Sequence, residues 1–236
     1  MSFVLHYFRN SASHVVRMAL EELGLPYRDE LVDTAAGAQR SESFLKLNPR
    51  GLVPVLIDED SGVVLSETGA ILLHLTERTG KLAPPADDPA QRAAFLKWLF
   101  LLSNTIHADA QIQYYTARYV GAELADHVRP TIHARMRAHV RMVEEAIVQH
   151  GGPWLLGDAL SVCDFYLGGC VRWSLMAPRE DPLDPEAVQT LPHLKVLLAA
   201  LETRDSVKRA FAAEGIGESS YFLAPAHIPM TTGQGE

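Results

Sequence analysis

Residues 48–56 read NPRGLVPVL, and this stretch decides how the first third of the chain folds. Val53 to Ile57 has the composition of a β-strand, yet Pro54 has no N–H to give to a neighbouring strand. A proline in that place predicts either an edge strand or a cis Val53–Pro54 bond, and the residues alone do not favour one over the other. A cis bond would turn the N–H and C=O of Val53 outward, where an extended peptide could pair with them.

The next informative stretch is LSETGAILLHL, residues 65–75, which predicts a helix beginning at Ser66. The first turn of a helix leaves N–H groups free, and these bind carboxylates. Glu67 beside them could take an ammonium group. Ser66, Glu67 and Thr68 therefore suit the head group of an α-amino acid, although an ordinary helix cap is the other interpretation.

Outward from these stretches, the first third alternates between strand and helix patterns. Phe3 to Phe8 predicts a buried strand, and residues 13–24 predict a helix that ends at a glycine. Strands are predicted at residues 27–32 and 53–57, and the latter pairs with a returning strand at residues 63–65. The order β-α-β, then β-β-α, predicts an α/β sandwich of about 80 residues.

A linker follows this sandwich. KLAPPADDP, residues 81–89, holds three prolines and two aspartates that interrupt both periodicities. Beyond it the patterns are helical, beginning with one long helix that extends towards Tyr119. LSVCDF, residues 160–165, predicts a capping box in which Ser161 is the N-cap and Asp164 reaches back to it.

The sequence therefore predicts a fold of class α/β plus all-α. The predicted divisions are residues 1–82 as the sandwich, residues 89–223 as an all-helical domain and residues 224–236 as a loose tail.

Composition excludes several classes of protein. The chain has 236 residues, of which 47% are hydrophobic and 21% charged, so it can bury a core. Its net charge of −8 disfavours nucleic acid as the main partner. The most apolar run is about six residues, whereas a membrane span needs about 20.

The cysteines and histidines argue against disulfides and metal. Cys163 and Cys170 lie seven positions apart in one predicted helix, too far to bridge. Reduced thiols, and an N-terminus without the pattern of a signal peptide, suit the cytoplasm. The ten histidines form no motif with metal-ligand spacing, so we expect no metal.

Four segments, in this order, resemble the glutathione transferase family. They are NPRGLVPVL, SETGAI, the proline-rich linker and GDALSVCD, residues 157–164. The resemblance covers nearly the whole chain. It implies a thioredoxin-like N-terminal domain, an all-helical C-terminal domain and a homodimer.

The resemblance also implies that glutathione is a co-substrate. Glu67 and Thr68 would hold its γ-glutamyl group, and Val53 would pair with its cysteinyl backbone. The family often has lysine where this chain has Leu52. The expected glutathione-binding residues are Arg50, Leu52, Val53, Pro54, Glu67 and Thr68. For the glycyl carboxylate, Arg50, Gln39 and Arg40 remain alternatives.

Family members stabilise the glutathione thiolate with a Tyr, Ser or Cys after the first strand. Aligned on the following helix, Ser11 falls at the serine position and Tyr7 at the tyrosine position of the alpha class; Ser13 is a third candidate or a helix cap. Lowering a thiol pKa from about 8.5 to about 6.5 takes roughly 2.7 kcal/mol. One charge-assisted hydrogen bond supplies about 1.5–3 kcal/mol. Ser11 is favoured over Tyr7 because it lies closer to the helix start.

The electrophile is expected on the second domain. Five positions of the long predicted helix step by three or four residues and would share one face. This mixed face suits a pocket wall or, equally, a dimer or bundle surface. The five are Asn104, His107, Ala108, Gln111 and Tyr115.

The sequence thus predicts a cytosolic glutathione transferase acting on an electrophilic, mostly apolar small molecule, as in detoxification. The alternatives are a glutathione-dependent isomerase, dehalogenase or ether-cleaving enzyme, or a non-catalytic glutathione-binding protein of the same fold.

Overall fold

The structure, a computed structural model, describes residues 1–176, 182–217 and 221–225. These residues form two compact units. The first unit joins Met1–Gly80 to Asp205–Gly217, and the second contains Lys81–Arg204. Within the described ranges, no helix has the length and apolar character that crossing a membrane requires.

The first unit has the predicted β-α-β and β-β-α order around a four-stranded sheet. Its strands are β1 (Phe3–Tyr7), β2 (Tyr27–Leu31), β3 (Val55–Asp58) and β4 (Val63–Ser66), and its helices are α1 (Ser13–Leu23), α2 (Glu42–Leu47) and α3 (Thr68–Thr79). The strand order is β2-β1-β3-β4. β1 is parallel to β2 and antiparallel to β3, and β3 is antiparallel to β4. This arrangement confirms the thioredoxin-like prediction.

Successive side chains of β1 point to opposite faces of the sheet, as the pleat requires. The ring of His6 lies 6.0 Å from that of Phe44, which belongs to α2. The ring of Tyr7 instead lies 4.5 Å from the guanidinium of Arg17, which belongs to α1. α1 and α2 therefore cover opposite faces of the sheet.

Two local predictions around the proline stretch have different outcomes. The Val53–Pro54 bond is cis, which was one of the two open alternatives. Ser66 does not begin the following helix as predicted, because it still pairs with Val55 as the last residue of β4. The chain turns at Glu67, whose φ is +72°, and α3 begins at Thr68.

The helices of the second unit are α4 (Pro89–Leu101), α5 (His107–Tyr114), α6 (Thr116–Val120), α7 (Ala122–His150), α8 (Val162–Met176), α9 (Glu186–Gln189) and α10 (Pro192–Thr203). The predicted single helix towards Tyr119 is wrong. A π-helical turn over Leu102–Ile106 separates α4 from α5, and Tyr115, with φ −112° and ψ 35°, separates α5 from α6. A π turn closes i to i+5 bonds, so it adds a residue and rotates everything beyond it.

The capping box before α8 is confirmed. Asp164 accepts the N–H of Ser161 at 2.8 Å and that of Leu155 at 2.8 Å, and Ser161 Oγ accepts the N–H of Cys163 at 3.2 Å. Burial raises the pKa of Asp164 to about 6 against the opposing effect of these hydrogen bonds. α8 is buried along almost its whole length, in the centre of the second unit.

The last described helix, α11 (Asp205–Ala213), belongs to the first unit rather than to the helical domain predicted over residues 89–223. It packs on α1, where the rings of His14 and Phe211 lie 4.1 Å apart and Arg209 Nε lies 2.7 Å from Glu21 Oε2. Of the predicted tail, residues 224–225 are described and the remainder lies outside the described residues.

Candidate functional site

Three loops of the first unit converge at one end of its sheet. β3 runs antiparallel to β1 with His6 opposite Val55, and antiparallel to β4 with Val55 opposite Ser66. The loop after Tyr7, the residues from Val53 into β3 and the turn at Glu67 therefore lie at the same end of the sheet. The predicted hydroxyl, peptide-pairing and amino-acid groups come together by this register.

Two serine hydroxyls share one carbonyl in the loop after β1. Ser11 Oγ lies 2.7 Å from the carbonyl oxygen of Phe8 and 2.8 Å from Ser13 Oγ. Ser13 Oγ lies 3.0 Å from the same carbonyl and accepts the N–H of Phe8 at 3.3 Å. Ser13 is fully buried, whereas Ser11 is half-buried. Ser13 therefore closes the loop at the start of α1, and Ser11 is the hydroxyl nearer the surface.

Tyr7 is only 8% exposed and lies on the α1 side of the sheet. Its ring contacts the guanidinium of Arg17, which is fully buried. This cation–π contact gives Tyr7 a packing role as well as a possible chemical one.

The loop before the cis proline is organised by the buried side chain of Asn48. Its Nδ2 donates to the carbonyl of Leu52 at 2.7 Å, and its Oδ1 accepts the N–H of Arg50 at 3.1 Å. Gly51 has a φ of +66°, and a Cβ there would lie 2.8 Å from the carbonyl oxygen of Gln39. Only glycine suits this position. The close approach brings Gln39 and Arg40 beside Arg50, with Arg40 Nη1 3.4 Å from the Arg50 carbonyl.

The backbone groups of Val53 are free to pair with a ligand. Within the described ranges neither its N–H nor its C=O forms a hydrogen bond. Leu52, by contrast, is 44% exposed and its carbonyl is already engaged by Asn48. An extended peptide lying here would find both backbone groups of Val53 available for pairing, whereas the Leu52 carbonyl is already used.

The α-amino-acid position combines a helix start with an ion pair. Thr68, the first residue of α3, is 5% exposed, and the N–H groups of this first turn have no partner within the helix. Glu67 Oε1 lies 2.6 Å from Arg50 Nη1, and both side chains are more than half exposed. A carboxylate, a guanidinium and a helix N-terminus thus lie together, and they suit a zwitterionic ligand.

Sequence reasoning missed two residues that act on the loop after β1. The backbone N–H of Asn10 donates to Glu214 Oε2 at 2.6 Å, and Asn10 has a φ of +54°. Asparagine tolerates this left-handed conformation, which is the one local signal at that position. Glu214 lies 204 positions beyond Asn10 in the sequence, and the residues around it give no sign of the contact.

In the second unit, the five predicted electrophile residues do not share one face. Asn104 lines a groove of about 620 Å³ between α4 and α7. His107, just beyond the π turn, instead packs on α8. Tyr115 lies at the break before α6 under the guanidinium of Arg118, 4.2 Å from its ring centroid. Ala108 is half-buried and Gln111 is exposed. Asn104 lies within the π turn and the other four residues follow it, so the regular three- or four-residue spacing does not hold between Asn104 and His107.

His107 is held by two aromatic side chains of α8. Its Nδ1 lies 2.9 Å from the hydroxyl of Tyr166, and its ring stacks on that of Trp173 at 4.9 Å. On the other side of α5, the buried Asp109 pairs with Arg135 and His139 of α7 at 2.9 and 2.6 Å. His107 and Asp109 therefore face different neighbours. Among the described residues, no cluster of three or more His, Cys, Asp or Glu side chains could hold a metal ion.

The chain matches two family models, the N-terminal domain of glutathione S-transferases over residues 1–77 and their C-terminal domain over residues 103–214. Glutathione S-transferase GstB of Escherichia coli is 38% identical over 100 residues, which are 42% of this chain and 48% of GstB, so that match spans about half of the relative. The disulfide-bond oxidoreductase YfcG of Escherichia coli is 30% identical over 187 residues, 72% of this chain and 77% of YfcG.

Among solved structures, a glutathione transferase homologue from Sulfitobacter with bound glutathione has a TM-score of 0.77 and 27% identity. The likeness covers 92% of this chain and 99% of that chain.

We predict that His107 stays neutral to about pH 4, because burial lowers its pKa to about 4. Since the unfolded chain binds that proton below about pH 6.5, the free energy of unfolding should fall as pH drops from about 6.5 to about 4. Urea unfolding across this range should show a weaker pH dependence for His107→Gln. The exposed neighbour Gln111→Ala is the control. An NMR titration that places the His107 pKa near 6.5 would contradict the prediction.

Proposed function

Because the chain belongs to the glutathione S-transferase family, we propose that it binds glutathione. We further propose that it activates the glutathione thiol for attack on an electrophilic, mostly apolar small molecule. One observation carries this proposal. The Ser11 hydroxyl, the unused backbone of Val53 and the Glu67–Thr68 helix start meet at one end of the sheet. The glutathione held by the Sulfitobacter homologue supports the choice of ligand.

Glutathione would lie along the edge in an extended conformation. Its γ-glutamyl carboxylate would accept N–H groups at the start of α3, and its ammonium would contact Glu67. Its cysteinyl backbone would pair with the N–H and C=O of Val53. The Arg50–Glu67 pair is exposed and contributes little to stability. A zwitterionic ligand could therefore replace it, leaving Arg50 or Arg40 for the glycyl carboxylate.

The thiolate would be stabilised by Ser11. In the described loop, the Ser11 and Ser13 hydroxyls share the Phe8 carbonyl as acceptor. When Ser11 turns its proton towards the sulfur, its Oγ can still accept the Ser13 N–H at 3.3 Å and the Ser13 hydroxyl at 2.8 Å. Such a chain of hydrogen bonds strengthens the final donor. The thiol proton leaves to solvent, the sulfur forms a bond to the electrophilic carbon, and the leaving group departs with its electron pair.

A second candidate reaction is glutathione-dependent redox chemistry. The relative YfcG is named a disulfide-bond oxidoreductase, and the two chains match over most of their lengths. Isomerisation, dehalogenation and ether cleavage also use an activated thiolate. Product analysis separates these reactions, since a stable thioether indicates conjugation, glutathione disulfide indicates redox turnover and recovered glutathione indicates use as a cofactor.

We predict that Ser11→Ala lowers kcat/KM with an aryl halide by about 10- to 100-fold, the value of one charge-assisted hydrogen bond. Tyr7→Phe should have a smaller effect because the ring, not the hydroxyl, contacts Arg17. Ser13→Ala should lie between them, since it removes a donor to Ser11 and loosens the loop. Unchanged rates for both Ser11→Ala and Tyr7→Phe in an active enzyme would show that the catalytic assignment is wrong.

Glu67→Gln should weaken glutathione binding about tenfold in calorimetry, because the ammonium loses its charged acceptor. Glu42→Gln is the matched control, since Glu42 is also exposed and pairs with a cation, Lys46, at 2.7 Å. It should leave the affinity unchanged. No measurable affinity of the wild type at millimolar glutathione would instead favour a protein that has lost the co-substrate.

We also propose a homodimer, as the family resemblance implies. The groove between α4 and α7 supports it, because Phe100 at its rim is 57% exposed. Phe100→Glu should shift the sedimentation equilibrium towards monomer, whereas Val196→Glu, at an equally exposed apolar side chain of α10, should not. A wild type that sediments as a monomer would overturn this proposal.

The buried free thiols of Cys163 and Cys170 support a cytoplasmic location, and a role in detoxification follows if the substrates are toxic electrophiles. Cell fractionation and substrate profiling are the direct tests.

A further inference from the structure

A carboxylate from the far end of the chain lies beneath the loop that carries Ser11. Glu214 is 2% exposed and follows directly after α11. Its Oε2 accepts the backbone N–H of Asn10 at 2.6 Å. Its Oε1 lies 3.1 Å from His14 Nδ1 and accepts Arg17 Nε at 3.3 Å. One carboxylate therefore ties the loop backbone to the first two turns of α1.

The end of α11 is built to direct Glu214 inward. Gly215, with a φ of +71°, donates its N–H to the carbonyl of Ala212, and Ile216 donates to that of Phe211. These bonds close the helix with a left-handed turn. Ile216 is 5% exposed and Phe211 is fully buried. The carboxylate is thus fixed by the backbone on both sides and by apolar packing.

The charge on Glu214 is maintained in this buried place. Burial alone would raise its pKa, but the charge and hydrogen bond of His14, the Asn10 N–H and the charge of Arg17 lower it below the ordinary value. An ionised acceptor makes a stronger bond to a backbone N–H than a neutral one does. The short distance to Asn10 agrees with that.

The bond is made at the residue directly before Ser11. Asn10 has a φ of +54°, a left-handed backbone conformation that most residues other than glycine and asparagine rarely adopt. Its N–H belongs to the peptide immediately before the Asn10 Cα, and Ser11 is the next residue. Loss of the acceptor would remove this 2.6 Å bond at the residue directly before Ser11.

We propose that Glu214 is a positioning residue for thiol activation, holding the Asn10–Ser11 backbone so that the Ser11 hydroxyl is directed at the glutathione sulfur. The inference rests on the proposed function, because it requires glutathione bound at the first unit. Displacement of a catalytic group by about 1 Å can lower a rate by about 100-fold. Glu214 would exert this effect without contacting the substrate.

The experiment measures the pKa of the thiol of bound glutathione from the ultraviolet absorbance of the thiolate. Steady-state kinetics give kcat and KM for the same variants. Glu214→Gln keeps the shape and removes the charge. This substitution should raise the pKa of the bound thiol by about one unit. At pH values below that pKa, the fraction of thiolate should then be about tenfold lower. kcat should fall with KM for glutathione nearly unchanged, because the tripeptide contacts lie elsewhere.

Arg209→Gln is the matched control. It breaks a different polar contact between α11 and α1, the 2.7 Å pair with Glu21, without touching the loop. It should reduce the melting temperature but not shift the thiol pKa. Glu214→Asp keeps the charge and should restore part of the thiolate. In a Ser11→Ala background, Glu214→Gln should add no further shift, because both changes act on the same hydroxyl.

The outcomes separate the two proposals. A wild type that binds no glutathione, or binds it as the thiol, overturns the proposed function and this inference with it. A wild type with a bound thiolate and a Glu214→Gln variant of unchanged thiol pKa overturns the inference alone. A shift shared equally by Arg209→Gln also overturns it, since that result indicates a general loosening of α11. Hydrogen exchange of residues 8–13 and thermal melting confirm that each variant is folded.

Discussion

The antiparallel pairing of β3 with both β1 and β4 is the constraint on which the site depends. Because β3 lies between them and runs opposite to each, the end of β1, the start of β3 and the end of β4 must meet at one edge of the sheet. The loop that carries Ser11, the unpaired backbone of Val53 and the N-terminus of α3 are thereby brought together from positions up to about 60 residues apart. Binding and catalytic residues often lie on loops that a rigid scaffold positions in this way. The chemistry follows from the topology before any side chain is considered.

Sequence predicted most of what is decided locally. The box formed by Ser161 and Asp164 depends on residues three positions apart, and such a spacing leaves a readable pattern. The π turn over Leu102–Ile106 leaves none, because i to i+4 and i to i+5 bonding use the same residue types. The partnership of α11 with α1 was missed for another reason, since an amphipathic helix does not specify which apolar surface it covers.

The net charge of −8 does not describe the electrostatics around α1. Arg17 is fully buried there, between Asp29 at 2.6 Å, Glu214 at 3.3 Å and the ring of Tyr7 at 4.5 Å. A buried guanidinium is unfavourable unless it is fully compensated. Here two carboxylates and an aromatic face offset the charge, while the buried Nη2 has no hydrogen-bond partner among the described residues. Part of the acidic excess is thus paired with Arg17 inside the first unit. The cations Arg40 and Arg50 lie at the surface, where a tripeptide with two carboxylates would need them.

The membership of α11 in the first unit means that this unit is not a contiguous segment of the gene. A fragment ending at Gly80 would expose a face of α1 on which His14 is 2% and Arg17 0% exposed, and would leave the charge of Arg17 without Glu214. During synthesis the N-terminal part emerges first, yet the residues that complete it are translated more than 120 codons later. Recombination that exchanged only the first 80 residues between relatives would therefore separate two halves of one core. The inheritance of the first unit therefore depends on residues 205–217 as well as on residues 1–80.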